Sequence, residues 1–279
     1  MCSPPPPPIT RALPDLCAWA RHFLNAPIPV LPDTAELLEV CRANEDTVDA
    51  HLLAQTIAGD PLMSLKLLAH VAGIRTPRST TDPETVTAAL VLMGISPFFR
   101  AFGPQVTVDA HLSGHPAALQ GLHEVLRRAH RSAAFALAFA VHRMDHDAQV
   151  IHAAALLHDF AEMLLWLHAP TLALQIAERQ RLDPTLRSAS IQRELLNIEL
   201  QDLQQALMRA WRLPELLVQI SAERHAETAQ VRNVLLAVRL ARHTARGWDN
   251  AALPDDVRDI AALLNLGETP TLHLLQDIG

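Results

Sequence analysis

His158 and Asp159 stand side by side after Leu156-Leu157, and a neutral imidazole next to a carboxylate offers two donors to a divalent cation. An ion held there would polarise a phosphoryl oxygen and activate water for phosphoester hydrolysis. Manganese, iron or magnesium would suit such nitrogen and oxygen donors. Two donors seldom hold an ion, so the doublet needs companions. His130 lies 28 residues upstream, a separation that lets an antiparallel helix bring it beside His158, and the three residues form the candidate metal set. In a continuous helix His152 and Asp159 share one face, whereas His158 and Glu162 share another. The competing reading makes His158-Asp159 a buried polar pair bonded to neighbouring helices, because buried polar groups are normally satisfied. On that reading the chain carries no cofactor.

The remaining chemistry is sparser. The chain has 15 histidines, so some approach one another by accident, and His130, His142, His146 and His152 are each weak as lone metal ligands. Arg127, Arg128, Arg131 and Arg224 could contact a phosphate without turnover, yet the run around His130, flanked by Glu124, has the composition of a solvated helix face. Only nine glycines are present, none in a phosphate-binding loop pattern. A G-x-S-x-G nucleophile elbow is also missing.

The elements that must position the doublet are helices. One grammar recurs: a capping residue or proline, then ten to twenty residues with apolar positions three and four apart. Proline breaks at 27, 29 and 32 follow a short helix around Leu13 to Leu24, and helical periodicity resumes at Thr34. Asp60-Pro61 starts a helix that Gly73 ends, with proline at the first position where its missing N–H costs nothing. Asp82-Pro83-Glu84 starts another that closes at Gly94, and Ser96-Pro97 opens a third. Long segments from Pro116 to Val141 and Asp147 to Leu167 are alanine-rich and form the centre, the second being one continuous helix that carries the doublet. Further helices are expected over Pro170 to Leu182, Ser188 to Arg212, Pro214 to His225, Ala226 to Arg246 and Pro254 to Leu266. Trp211-Arg212-Leu213-Pro214 reads as a helix end, an aromatic anchor and the start of the next helix. No segment reads as a strand.

Bulk properties narrow the partners. Hydrophobic residues make up 49% and charged residues 19% of the chain, which excludes disorder for most of it and supplies a large core. A net charge of −7 gives no general attraction to nucleic acid or an anionic membrane. Cys2, Cys17 and Cys41 show no metal or redox spacing and read as free thiols. With no signal-like opening and with apolar stretches interrupted by polar residues, the expectation is a cytoplasmic protein. The run Pro4 to Pro8 should be extended and solvated.

Together these segments resemble the HDOD family, regulatory relatives of the HD and HD-GYP phosphohydrolases. The resemblance covers roughly Pro29 to His225. It is carried by Pro29-Val30-Leu31-Pro32, by Ile57-Ala58-Gly59-Asp60-Pro61-Leu62 with Lys66-Leu67-Leu68, and by Val86 through Met93-Gly94. Ser132, Ala154-Ala155-Leu156-Leu157-His158-Asp159 and Trp211-x-Leu213-Pro214 complete it. Departures from the family are equally specific: Ala72-Gly73 replaces Asn-Ser, and Ala161 replaces the glycine after His-Asp-x. Glu162 stands where HD-GYP enzymes often have lysine. Gln201 replaces a histidine, Arg224-His225 replaces a histidine pair, and a chain without tyrosine has no Gly-Tyr-Pro.

The resemblance implies an all-α, multi-helix HD-like bundle acting as a non-catalytic signalling scaffold. Its partner would be another signalling protein, and self-association into a homodimer stays open. Three parts are expected: residues 1–28, proline-rich with a short helix; residues 29–225, the HDOD-like domain; and residues 226–279, a helical extension on the same core. Two alternatives stay open at this point, a metal-dependent HD-type phosphohydrolase and a non-catalytic binder of a cyclic dinucleotide or other phosphoryl ligand.

Overall fold

The structure, a computed structural model, describes residues 7–74, 83–183, 185–222 and 228–279. Parts of several expected features lie outside them: Cys2, Pro4 to Pro6, Asp82 and Arg224-His225. Among the described residues the fold is all-helical without strands; one isolated parallel bridge joins Val30 to Thr107.

In chain order the helices are α1 (Leu16–Asn25), α2 (Pro32–Ala43), α3 (Ala50–Ala58), α4 (Pro61–Ile74), α5 (Val86–Met93), α6 (Ile95–Ala101), α7 (Val108–His111), α8 (Pro116–His142) and α9 (Ala148–Leu156). There follow α10 (Phe160–His168), α11 (Pro170–Leu182), α12 (Ser188–Leu196), α13 (Leu200–Ala210), α14 (Glu215–Ile220), α15 (Ala229–His243), α16 (Leu253–Leu264) and α17 (Glu268–Ile278). The chain divides into two compact units, Met1–Val125 with Asp159–Leu213, and Leu126–His158 with Pro214–Gly279.

In the first unit α1 buries Trp19 and Phe23, and the Trp19 indole Nε1 donates to Leu196 O at 2.9 Å. α3 packs against both α2 and α5, while α10 packs against α11 and α13. The long helix α8 keeps glycine at position 121 for a steric reason: a methyl built there would stand 2.6 Å from Cζ2 of Trp166, and closer still to Cη2. In the second unit α15 packs on α9, α14 and α16, and α17 packs on α16. Asn233 is fully buried there, and its Nδ2 donates to Ala136 O at 3.1 Å. The buried carboxylate of Asp256 faces Arg239 and His243, each at 2.6 Å, joining α15 to α16.

Three expectations change. The segment from Asp147 to Leu167 is two helices, interrupted by a turn at residues 157–159. Leu157 and Asp159 have ψ of 0° and 23°, too far from helical values to continue the 3.6-residue repeat. The segment from Ser188 to Arg212 is also two helices, because Asn197 takes the left-handed conformation at φ 63°. The N-cap of α5 is Thr85, whose side chain accepts from Ala88 N. Ala148–His168 has the length and mean hydropathy to cross a membrane, but 72% of that window is buried.

Candidate functional site

The turn after α9 decides what the His-Asp doublet can do. Leu157 is fully buried, while His158 and Asp159 are half-buried. The backbone is held by His158 N donating to Ala155 O at 3.3 Å and by Glu162 N donating to Asp159 O at 3.0 Å. The helix breaks here, so the 3.6-residue repeat on which the facing of His152 with Asp159 and of His158 with Glu162 rests is interrupted between them. The unit boundary falls between the two residues, with His158 closing one segment and Asp159 opening the next.

His130 is exposed on α8 and His152 half-buried on α9. The structure brings these two within electrostatic reach of each other in the second unit. Burial, and then the proximity of His130, lower the pKa of His152. His142 and His146 are exposed. Among the described residues, no three His, Cys, Asp or Glu side chains converge in an arrangement that could hold a metal ion. The described donors therefore do not fit a multi-ligand metal centre. Gln201, in place of a family histidine, is exposed on α13.

The arginine run is partly architectural. In the second unit Arg131 donates through Nη1 to Thr244 O at 2.7 Å and lies over the Phe135 ring. Arg127 is exposed and Arg128 half-buried. Ser132 is buried and donates back to Arg128 O at 2.8 Å.

The motif residues of the first unit have a clear task. Asp60 is almost fully buried, and its Oδ1 accepts from Leu62 N at 2.8 Å and Met63 N at 3.0 Å, capping α4. Its Oδ2 accepts from Leu31 N at 2.8 Å. Lys66, on α4, donates through Nζ to Ile28 O at 2.9 Å and Gln105 Oε1 at 2.6 Å. The two side chains thus clamp the segment Ile28 to Leu31, which also makes the bridge through Val30 N to Val106 O at 3.0 Å and Val108 N to Val30 O at 2.9 Å. Desolvation raises the Asp60 pKa against the pull of its hydrogen bonds, and desolvation lowers that of Lys66 against the attraction of Asp60. Both shifts come from burying charge.

Sequence reasoning missed a histidine cluster in the first unit. The rings of His22 on α1 and His111 on α7 lie 5.9 and 5.2 Å from that of His168 at the end of α10. His168 Nε2 bonds Pro27 O and His111 Nε2 bonds Leu167 O, each at 3.0 Å. Burial, followed by the neighbouring imidazoles, pushes His168 down to about 3. The three positions are too far apart in sequence for any periodic pattern to join them.

An all-helical chain whose His-Asp doublet sits in a helix-breaking turn, with an Asp-Pro helix start clamping a Pro-Val-Leu-Pro segment, has HD-like architecture. The HDOD domain family matches residues 28–227, and the chain belongs to that family. A search of curated proteins finds no match. Among solved structures, the MmoQ response regulator of Methylococcus capsulatus is similar at TM-score 0.66 and 18% identity, over 90% of this chain and 99% of that one. A virulence factor of Campylobacter jejuni superposes at TM-score 0.60 and 18% identity, over 90% of each chain. An HDOD domain protein of unknown function from Geobacter sulfurreducens matches at 0.51 and 17%, over 94% of this chain and 93% of its own. At these identities the likeness establishes the shared fold.

Proposed function

We propose that this chain is a non-enzymatic regulatory module of the HDOD type, acting by contact with another signalling protein and requiring no metal. One observation carries the reading: two family-motif side chains, Asp60 and Lys66, are spent on architecture. Both clamp backbone, and among the described residues no three potential metal donors converge in an arrangement that could hold an ion. The resemblance to a response regulator supports a place in signal transduction.

The test is direct. Purified protein is assayed for bound manganese, iron and magnesium and for hydrolysis of several phosphate esters, with His158→Ala and Asp159→Ala alongside. The expected outcome is no turnover by any of the three proteins, and a stability loss in the variants of about 1–3 kcal/mol, as for broken buried hydrogen bonds. Stoichiometric metal and turnover that both variants abolish would replace this reading with the phosphohydrolase. In parallel, cross-linking in cells should trap a protein partner.

A further inference from the structure

In the first unit residues 7–28 form an arm tied to the helices beneath it at a few points. Ile9 N donates to His168 O at 2.7 Å, Asn197 Nδ2 donates to Leu13 O at 3.0 Å, and Trp19 Nε1 donates to Leu196 O. α1 itself packs on α13. Toward the end of the arm, the rings of Phe23 and His22 lie 5.8 and 5.9 Å from that of His168, and Pro27 O meets His168 Nε2. The arm therefore covers an imidazole whose residue is only 3% exposed.

The carbonyls fix the proton count of this cluster. A carbonyl oxygen can only accept, so His168 and His111 each carry a hydrogen on Nε2, donated to Pro27 O and Leu167 O. Both bonds are complete with neutral rings. A further proton, on Nδ1, would put a cation beside another imidazole in a water-poor site. The groups that act electrostatically on His168 are His111 from α7 and His22 from α1, and no carboxylate is among those acting on any of the three rings. Apart from His168 itself, α10 and α11 carry no titratable side chain between Glu162 and Glu178. Lys66 on α4 is engaged by Ile28 O and Gln105 Oε1. Arg11, Asp15 and Arg21 on the arm, Asp109 on α7, and Asp202 and Arg209 on α13 are exposed.

We propose that residues 7–28 are an acid-released arm: His22, His111 and His168 form one latch that holds it while their rings are neutral and lets α1 lift by local opening when they take up protons. Lifting uncovers Trp19 and Phe23, both fully buried in the closed arm, together with the side of α13 on which α1 packs. Acid thus exposes an apolar surface without unfolding the rest of the unit.

The test is hydrogen exchange of the full chain at pH 7 and pH 5 in water and in low urea, with protection corrected for the intrinsic rate at each pH. His168 stands at about 3 beneath the arm and returns to about 6.5 once solvated, so its proton alone should raise the open population about twenty-fold over that interval. Protection of the α1 amides is expected to fall by about that factor. At pH 5 it should also lie below that of α4 and vary little with urea, which marks a local opening that exposes little surface. His168→Gln, whose amide can still donate to Pro27 O, should remove most of the fall, and His22→Gln part of it.

Equal protection and equal urea dependence in α1 and α4 would overturn the proposal, because the arm would then open only with the whole unit. A fall kept in full by His22→Gln, or by a folded His168→Gln, would overturn it as well. Should His168→Gln fail to fold, His22→Gln and the urea dependence of the unaltered chain decide.

Discussion

At Gly121 two opposing effects can be compared in size. Replacing a helix-interior glycine with alanine ordinarily stabilises by up to about 1 kcal/mol. Here the new methyl would overlap the Trp166 indole, and overpacking a filled site costs about 1–3 kcal/mol. The clash wins, so Gly121→Ala should lower the urea midpoint. In a double-mutant cycle with Trp166→Leu its cost should largely vanish, because the smaller side chain leaves room; additive losses would place the effect elsewhere. The sequence gives no warning of this contact, since nothing marks residues 121 and 166 as neighbours. The doublet was legible as residue types but not as geometry: facing by helical periodicity holds only while the helix continues, and the chain leaves it at Leu157.

Helix starts were readable where proline or a capping side chain carries the signal. Pro170 opens α11, which runs to Leu182 as its spacing predicts, and Pro116 opens α8. Helix stops were less readable, because several are built without glycine. Met144, Asn197, Arg212 and Asn265 all take positive φ, and side chains of this kind leave no reliable mark. Asn197 thereby divided one expected helix into α12 and α13. After Ala210, Arg212 at φ 54° lets Leu213 N reach back to Met208 O at 2.9 Å, closing the helix in a Schellman-like turn. A left-handed residue with a β-carbon costs about 1–2 kcal/mol. Arg212→Gly should therefore raise the melting temperature, while Arg212→Ala should not. Asn197→Gly should gain less, as asparagine tolerates the conformation and its Nδ2 donates to Leu13 O at 3.0 Å. Equal gains at both positions would show that backbone strain is not the controlling quantity.

For the molecule as a whole, stability should depend on acid through its buried and half-buried histidines. Burial lowers His22, His111 and His168 in the first unit and His152 in the second. A histidine depressed in the folded state is fully compatible with folding above its unfolded pKa of about 6.5. Below that value the unfolded chain takes up a proton that the folded chain refuses, and stability falls. For His168 the loss continues down to about 3, with a slope of about 1.4 kcal/mol per pH unit from this group alone. Asp60 acts in the opposite sense. Its folded pKa is raised, so the cost of burying its charge lessens as pH falls through that value, and this offsets part of the histidine loss. Three of the four tryptophans, Trp19, Trp166 and Trp211, belong to the first unit, so their fluorescence reports its unfolding. Urea midpoints followed this way should fall steadily from pH 7 to pH 4, and His168→Gln should flatten the slope by about one proton's worth. A slope unchanged by that substitution would move the acid sensitivity to other groups.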